Sequence, residues 1–380
     1  MHHSPVEELN ERESERYARQ VRLPELGVEG QRRLKASSVV IIGAGGLGSP
    51  VSIYLAAAGI GRIGLVDFDR VDVTNLHRQI LYRSSDVGFS KLDRAGSHLG
   101  DLNPEVSIEK HEARLTSENA LQILSSYDVV IDGTDNFATR YLVNDATVIL
   151  GKPNVYGSIF RFEGQLSVFD ARKGPCYRCL YPDPPPPDLV PSCAVGGVLG
   201  VLPGVIGTLQ AIEAIKLLAG IGEPLIGRLL LFDALTTRFR QLTLQKDVRC
   251  RICGPAATVT SLIDYDEFCA GPAQGPEEYD APSLAKRLQD DPAIRLIDVR
   301  ETYEWTAGHI GVAEHIPSAE LPGRVGELRR DQEIVLYCRS GARSAKALEL
   351  LREAGFSRVS HLRGGATAWA RLIDPTMRVV

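Results

Sequence analysis

Ser38-Val39-Val40-Ile41-Ile42-Gly43-Ala44-Gly45-Gly46-Leu47-Gly48 is the stretch that decides the fold. Its first five residues, dominated by β-branched side chains, read as a buried strand. They run directly into a glycine-rich loop, and the small residues of Val51–Ala58 read as the helix that follows. A second strand, Arg62-Ile63-Gly64-Leu65-Val66, ends at Asp67. A third, Tyr127-Asp128-Val129-Val130-Ile131, ends at Asp132-Gly133-Thr134-Asp135. Strands alternating with helical segments predict an α/β protein built on a doubly wound, mostly parallel sheet. In such a sheet ligands bind beyond the carboxyl ends of the strands, where these glycines and aspartates fall.

Working outward, Ser14–Lys35 is charged with helical spacing and reads as an N-terminal arm. Tyr181–Pro191 contains Pro184-Pro185-Pro186-Pro187 and reads as an exposed, mobile crossover, after which Val205–Leu218 returns to helical apolar periodicity. Ala270-Gly271-Pro272-Ala273-Gln274-Gly275-Pro276 has linker composition. Beyond it, Leu296–Val299 and Ile334–Tyr337 read as buried strands and Ala345–Ala354 as a helix, in a smaller α/β unit. The expected organisation is a nucleotide-binding domain over 1–265, a linker over 266–280 and a second domain over 281–380.

The chain has 380 residues, too many for one ordinary core. With 43 basic and 48 acidic residues, its formal charge of −5 gives no electrostatic case for nucleic acid or an anionic membrane. No apolar run stands out as a membrane span, and Met1–Arg22 lacks the apolar stretch of a signal peptide. The 7 cysteines are too sparse for a disulfide scaffold, and four of them form two C-x-x-C pairs. That pattern points to a metal in a reducing compartment, with the cytoplasm as the expected location.

A strand, a G-x-G-x-x-G loop, a helix and then an acid at the end of the next strand place phosphate at a helix N-terminus and a carboxylate on ribose hydroxyls. This much suits NAD or FAD as well as ATP. Asn75, Arg78 and Lys91 follow the ribose acid closely, and Asp135-Asn136 follows the third strand. Taken singly, each is an ordinary solvated charge. As a set at strand ends they suit a triphosphate, whose departing pyrophosphate needs several cations and a metal-binding carboxylate.

Gly43–Gly48, Asp67-Phe68-Asp69, Thr74-Asn75-Leu76-His77-Arg78-Gln79, Lys91 and Asp132–Asn136 together resemble the MoeB/ThiF/HesA family of ubiquitin-activating-like adenylyltransferases, whose fold is Rossmann-like. Arg16-Tyr17-Ala18-Arg19-Gln20 resembles that family's N-terminal arm, and the similarity runs over about Arg16–Cys253. The resemblance implies that ATP adenylates the C-terminal glycine of a ubiquitin-like sulfur carrier ending in Gly-Gly, of the MoaD, ThiS or CysO kind. It implies that Gly43, Gly45 and Gly46 line the phosphates and that Asp67 holds the ribose. Asn75, Arg78 and Lys91 would contact phosphates, Asp135 beside Asn136 would bind Mg2+, and Arg19 would reach the ATP of a partner subunit in a homodimer.

Cys176-x-x-Cys179 and Cys250-x-x-Cys253 supply four sulfurs, which suit tetrahedral Zn2+ with no open position. The family places its zinc at these positions, stapling the crossover to the domain's last strand. Cys193, just after the proline run, resembles the family's crossover cysteine. It is either a thiol that captures the acyl group or forms a mixed disulfide, or a bystander; the family usually carries an acid where this chain has Val195. Cys269, in the linker, has no assigned role.

Cys338 ends an apolar strand, and its loop, Arg339-Ser340-Gly341-Ala342-Arg343-Ser344, leads into a helix N-terminus. Free backbone N–H groups there stabilise a thiolate or persulfide, and Arg339 and Arg343 add positive charge. With Asp298-Val299-Arg300-Glu301, Glu304 and Gly308-His309-Ile310, the segment Ala281–Pro375 resembles a rhodanese-like sulfurtransferase domain. The resemblance implies that Cys338 carries a persulfide, charged by thiosulfate or a cysteine desulfurase. Sulfur would then pass to the carrier adenylate to make a thiocarboxylate, for molybdenum cofactor or a related sulfur-containing product. Asp298, Arg300 and His309 read as shaping the domain. An NAD- or FAD-dependent oxidoreductase with a redox thiol, and a rhodanese unit that only docks partners, are the alternatives.

Overall fold

A computed structural model describes residues 8–185, 197–270 and 278–380. Cys193, most of the proline-rich crossover and most of the linker stretch lie outside the described residues. The chain forms two compact units, Met1–Cys269 and Ala270–Val380.

The first unit contains β1 (Ser38–Ile42), β2 (Arg62–Asp67), β3 (Ser107–Glu112), β4 (Val129–Asp132), β5 (Asn154–Phe160), β6 (Glu163–Phe169), β7 (Arg228–Asp233) and β8 (Arg238–Thr243). They make one eight-stranded sheet in the order β3-β2-β1-β4-β5-β6-β7-β8. The first five run parallel, and β6, β7 and β8 extend the sheet antiparallel.

Every residue of β1 is buried, because helices cover both faces. Val39 and Ile41 pack on one side with Leu34, Leu55, Leu99 and Ala214. Val40 and Ile42 pack on the other with Leu124, Tyr141 and Tyr156. This is the period-two alternation of a strand. Strand order reverses between β1 and β4, which opens a crevice between the loops that follow them.

The helix over Leu202–Ala219 corrects one sequence expectation: its 18 residues are long and apolar enough to cross a membrane. Here it is a core helix with half of its residues buried. Gln210 donates through Nε2 to the carbonyls of Asp132 at 2.8 Å and Val155 at 3.0 Å, which ties it beneath β4 and β5. The charged arm is also broken: it forms helices over Glu11–Arg16 and Gly27–Lys35, with turns between them.

The second unit contains β9 (Glu278–Tyr279), β10 (Arg295–Asp298), β11 (Glu314–His315), β12 (Ile334–Tyr337) and β13 (Val359–Leu362). All pair in parallel, in the order β11-β10-β12-β13-β9. Ile334 and Leu336 of central β12 face one core with the helix Ala342–Glu353, while Val335 and Tyr337 face another with Leu284 and Trp369. Cys338 therefore emerges at the carboxyl end of the central strand.

Candidate functional site

The crevice at the β1/β4 reversal holds a cavity of about 400 Å³. Its lining brings together Gly43, Gly45, Gly46, Asp67, Asn75, Arg78, Lys91, Asp135 and Asn136. Each arrives from the loop at the end of β1, β2 or β4, or from the segment between β2 and β3.

The glycine loop is held by both backbone groups of one residue. Ala44 donates its N–H to Asp67 Oδ2 at 2.8 Å, and its carbonyl accepts from the Tyr82 hydroxyl at 2.8 Å. Glycine is required at two points: Gly43 has φ +90°, and a Cβ on Gly48 would lie 2.0 Å from the Gly43 carbonyl oxygen. The helix Gly48–Ala58 begins there, with its positive end toward the cavity.

Asp67, besides facing the cavity, accepts the Asp69 N–H at 2.8 Å. Lys91, only 4% exposed, donates to Asp69 Oδ2 at 2.8 Å and lies 4.0 Å from Asp67 Oδ1. Arg78 donates to Asn75 Oδ1 at 2.9 Å and to the Thr74 carbonyl at 3.3 Å. Asn136 caps the helix Phe137–Leu150 by accepting the Thr139 N–H at 2.9 Å, so packing alone accounts for its side chain. Asp135 is exposed at the rim. Arg19 is exposed and does not line this chain's own cavity.

Gln79, Arg114 and Arg140 also line the cavity, and the sequence reading gives none of them a role. Gln79 is 4% exposed and its buried Oε1 has no hydrogen-bond partner. Arg114 bonds both carboxylate oxygens of Asp266 at 3.0 Å. A signal for Arg140 was available: it is a lone cation one turn inside an apolar helix that starts at the cavity.

Cys176, Cys179, Cys250 and Cys253 converge with all four Sγ atoms within 4.8 Å of one another. Three of the separations are 3.4, 3.6 and 3.9 Å. Four sulfurs around tetrahedral zinc at ~2.3 Å would lie roughly 3.8 Å apart, so this donor set fits zinc and leaves no coordination position for substrate. Gly254 lets the second hairpin close, since a Cβ there would lie 2.7 Å from the carbonyl oxygens of Cys250 and Val248.

In the second unit Cys338 is 1% exposed. Its Sγ accepts the Gly341 N–H at 3.2 Å, and the Ser344 hydroxyl, 3.5 Å away, shares its proton between the sulfur and the Gly341 carbonyl at 3.0 Å. Burial opposes ionisation of the thiol, but these donors and the loop amides outweigh it and hold its pKa below the ordinary value.

Arg343 lies close enough to Cys338 for its charge to act on the sulfur, as expected, but a carboxylate offsets it. Its guanidinium is spent on a bidentate pair with Glu304, both bonds 2.7 Å, and Glu304 in turn caps the helix Thr302–Ala307. The thiolate is therefore stabilised chiefly by amides and a hydroxyl. Arg300 and Asp298 form a fully buried ion pair at 2.6 Å, which suits a shaping role. Gly365 is a further residue the sequence reading passed over: a Cβ there would lie 2.1 Å from the Cys338 carbonyl oxygen.

A glycine loop at a helix N-terminus, with cations at strand ends, defines a nucleotide-binding α/β enzyme, here joined to a unit presenting a cysteine whose thiol ionises more readily than an ordinary one. The ThiF family matches residues 17–252 and the Rhodanese-like domain matches residues 280–372. The "Probable adenylyltransferase/sulfurtransferase MoeZ" of Mycobacterium tuberculosis is 47% identical over 98% of this chain and 97% of its own length. The "Sulfur carrier protein adenylyltransferase" of Thermus thermophilus is 58% identical over 68% of this chain and 97% of its own. In fold, the first unit is similar to E. coli MccB crystallised with ATP, at a TM-score of 0.57 and 25% identity over 63% of this chain and 74% of that one.

The chain belongs to the ThiF family and carries a rhodanese-like domain. It is an adenylyltransferase and sulfurtransferase, which removes the oxidoreductase alternative.

Proposed function

We propose that the 1–265 domain uses ATP to adenylate the C-terminal glycine of a ubiquitin-like sulfur carrier, and that the 281–380 domain supplies sulfur from a Cys338 persulfide. The observation that carries this reading is one chain holding both a cation-lined cavity behind a glycine loop and a cysteine whose sulfur accepts hydrogen bonds from its own loop.

The attacking carboxylate is already ionised, so the first step needs no general base. A carboxylate oxygen attacks the α-phosphorus and pyrophosphate leaves. Catalysis is positioning plus charge stabilisation by Arg78, Lys91 and the amides of Gly43–Gly46, with Asp67 on the ribose. Asp135 would hold Mg2+ beside the triphosphate, and Arg19 would complete the site of a homodimeric partner.

The terminal sulfur of the persulfide then attacks the acyl carbon and AMP leaves. A thiol, for which Cys193 is a candidate, cleaves the resulting acyl disulfide and releases the thiocarboxylate. That cleavage leaves Cys338 in a mixed disulfide with the attacking thiol; an external dithiol reductant would free it, and thiosulfate or a cysteine desulfurase would then recharge the thiolate. Free thiols and a persulfide suit the cytoplasm.

Incubating the protein with ATP, a sulfur donor and Gly-Gly-terminated carriers, followed by intact-mass measurement, tests the whole sequence. Replacement of one carboxylate oxygen by sulfur is the expected result. Absence of that product with every carrier, while adenylate still forms, would remove the sulfur-transfer half.

Two further outcomes are expected. The protein carries one zinc per chain, and Cys176→Ser lowers its thermal midpoint by about 10 °C or more. Structural zinc supplies several kcal/mol, and each shifts a domain of this size by ~2–4 °C. Metal analysis and a melting curve check this; an unchanged midpoint in a zinc-free variant contradicts it.

Because Ser344 donates to the Cys338 sulfur, Ser344→Ala favours the thiol form. The pH midpoint of Cys338 alkylation by iodoacetamide then rises, by about one unit for a hydrogen bond to a charged group. In the unsubstituted protein the midpoint lies below that of free cysteine. A midpoint that stays put in the variant would show that the backbone amides suffice.

A further inference from the structure

Four cations line the nucleotide cavity, and three have side-chain acceptors: Lys91 on Asp69, Arg114 on Asp266 and Arg78 on Asn75. Arg140 has none among the described residues. It is 8% exposed, and its one hydrogen bond is a long 3.3 Å contact from Nη2 to the Thr134 carbonyl. Its Nε is buried without an acceptor. Phe137 and Tyr156 flank the guanidinium, with ring centroids 5.5 and 5.7 Å from its central carbon.

The nearest carboxylates do not neutralise it by contact. Asp132 is spent through Oδ1 on Thr134, its Oδ2 is buried and unpartnered, and burial raises its pKa against the opposing effect of Arg140. A desolvated guanidinium with this few acceptors is expensive unless an anion completes it.

The reaction brings two anions together, a phosphate and a carboxylate. Arg78 and Lys91 lie on the segment after β2, while Arg140 comes from the helix after β4, on the other side of the crevice. We propose that Arg140 binds the free C-terminal carboxylate of the incoming carrier tail and offsets its charge as it approaches the α-phosphate. This inference rests on the adenylation reading and assigns that reading's second substrate to a residue.

The test pairs a change in the ligand with a change in the protein. A Gly-Gly-terminated carrier that the full-length enzyme adenylates, and the same carrier ending in a carboxamide, are titrated against wild type, Arg140→Met and Arg140→Lys. An α,β-methylene ATP analogue is present throughout, and its own affinity is measured for each protein.

Wild type is expected to favour the carboxylate form by about tenfold or more, as for a charge-assisted hydrogen bond. Arg140→Met should bind both forms alike, Arg140→Lys should retain part of the preference, and analogue affinity should stay within about threefold. Equal preference in wild type and Arg140→Met overturns the proposal, as does the absence of any preference in wild type. A fall in analogue affinity matching the loss of carrier binding overturns it too, because Arg140 would then serve the nucleotide. If no carrier supports pyrophosphate exchange by wild type, the adenylation reading itself fails, and that outcome is distinct from the others.

Discussion

Cys338→Ala is expected to leave ATP–pyrophosphate exchange within about twofold of wild type while thiocarboxylate formation falls by on the order of 10³ or more, the scale seen when a nucleophile is removed. The expectation follows from where the sulfur sits. Cys338 follows the central strand of the second unit, and among the described residues the hydrogen bonds to its sulfur come from its own loop, Gly341 and Ser344 among them. Its backbone carbonyl still accepts from Ala366 at 2.8 Å in the variant, so the loop keeps its anchor. What is lost is the atom that carries sulfur.

Cys338→Ser is a stricter control, because a hydroxyl can still accept from the Gly341 amide but cannot form a persulfide. Both variants should therefore accumulate carrier adenylate, visible as a mass gain on the carrier, with no thiocarboxylate. If either still transfers sulfur at the wild-type rate, Cys338 is not the carrier and the second unit is a docking module. If pyrophosphate exchange falls in step, the loop contributes to adenylation and the division of labour between the units is wrong.

Much of this was legible in the chain, for reasons that differ by element. Ser38–Ile42 could be assigned because a strand buried on both faces leaves an unbroken β-branched run, and the glycines after it mark a helix start. β3, by contrast, reads Ser107-Ile108-Glu109-Lys110-His111-Glu112, an edge strand whose exposure permits charge, so its sequence carries no strand signal. The antiparallel β8, Arg238–Thr243, is wholly exposed and equally mute.

At the sites, residue types were readable but partnerships were not. Four cysteines in two close pairs could be read as one cluster able to hold a metal, whatever their distance along the chain. Whether Arg343 faces the thiolate or Glu304 depends on a helix cap 39 residues away, which no local pattern encodes. Arg140 left a weaker trace: it is the lone cation of an apolar helix, but its burial and its missing acceptors come only from the tertiary fold.

Lys91→Ala is expected to lower kcat/KM for ATP in pyrophosphate exchange by about 10²–10³, the usual loss when one preorganised charge is withdrawn from a developing anion. Lys91 is buried between Asp67 and Asp69 at the cavity wall. Without it, two carboxylates face an incoming triphosphate with no local cation. A unit charge pair 4 Å apart is worth ~4 kcal/mol at an effective dielectric near 20, enough to account for that range even after partial screening of exposed Asp69.

The loss should fall on both KM and kcat, because the ammonium offsets charge in bound ATP and again on the departing pyrophosphate. Lys91→Arg should recover part of it, since charge returns without the compact ammonium geometry. Asp67→Ala is the poorer probe. Its carboxylate also holds the Ala44 amide, so removing it disorders the phosphate loop and confounds ribose binding with loop geometry. Steady-state pyrophosphate exchange across ATP concentrations, with a melting curve for each variant, decides the matter. A Lys91→Ala enzyme within threefold of wild type would mean that the phosphates rest on Arg78 and the glycine-loop amides alone.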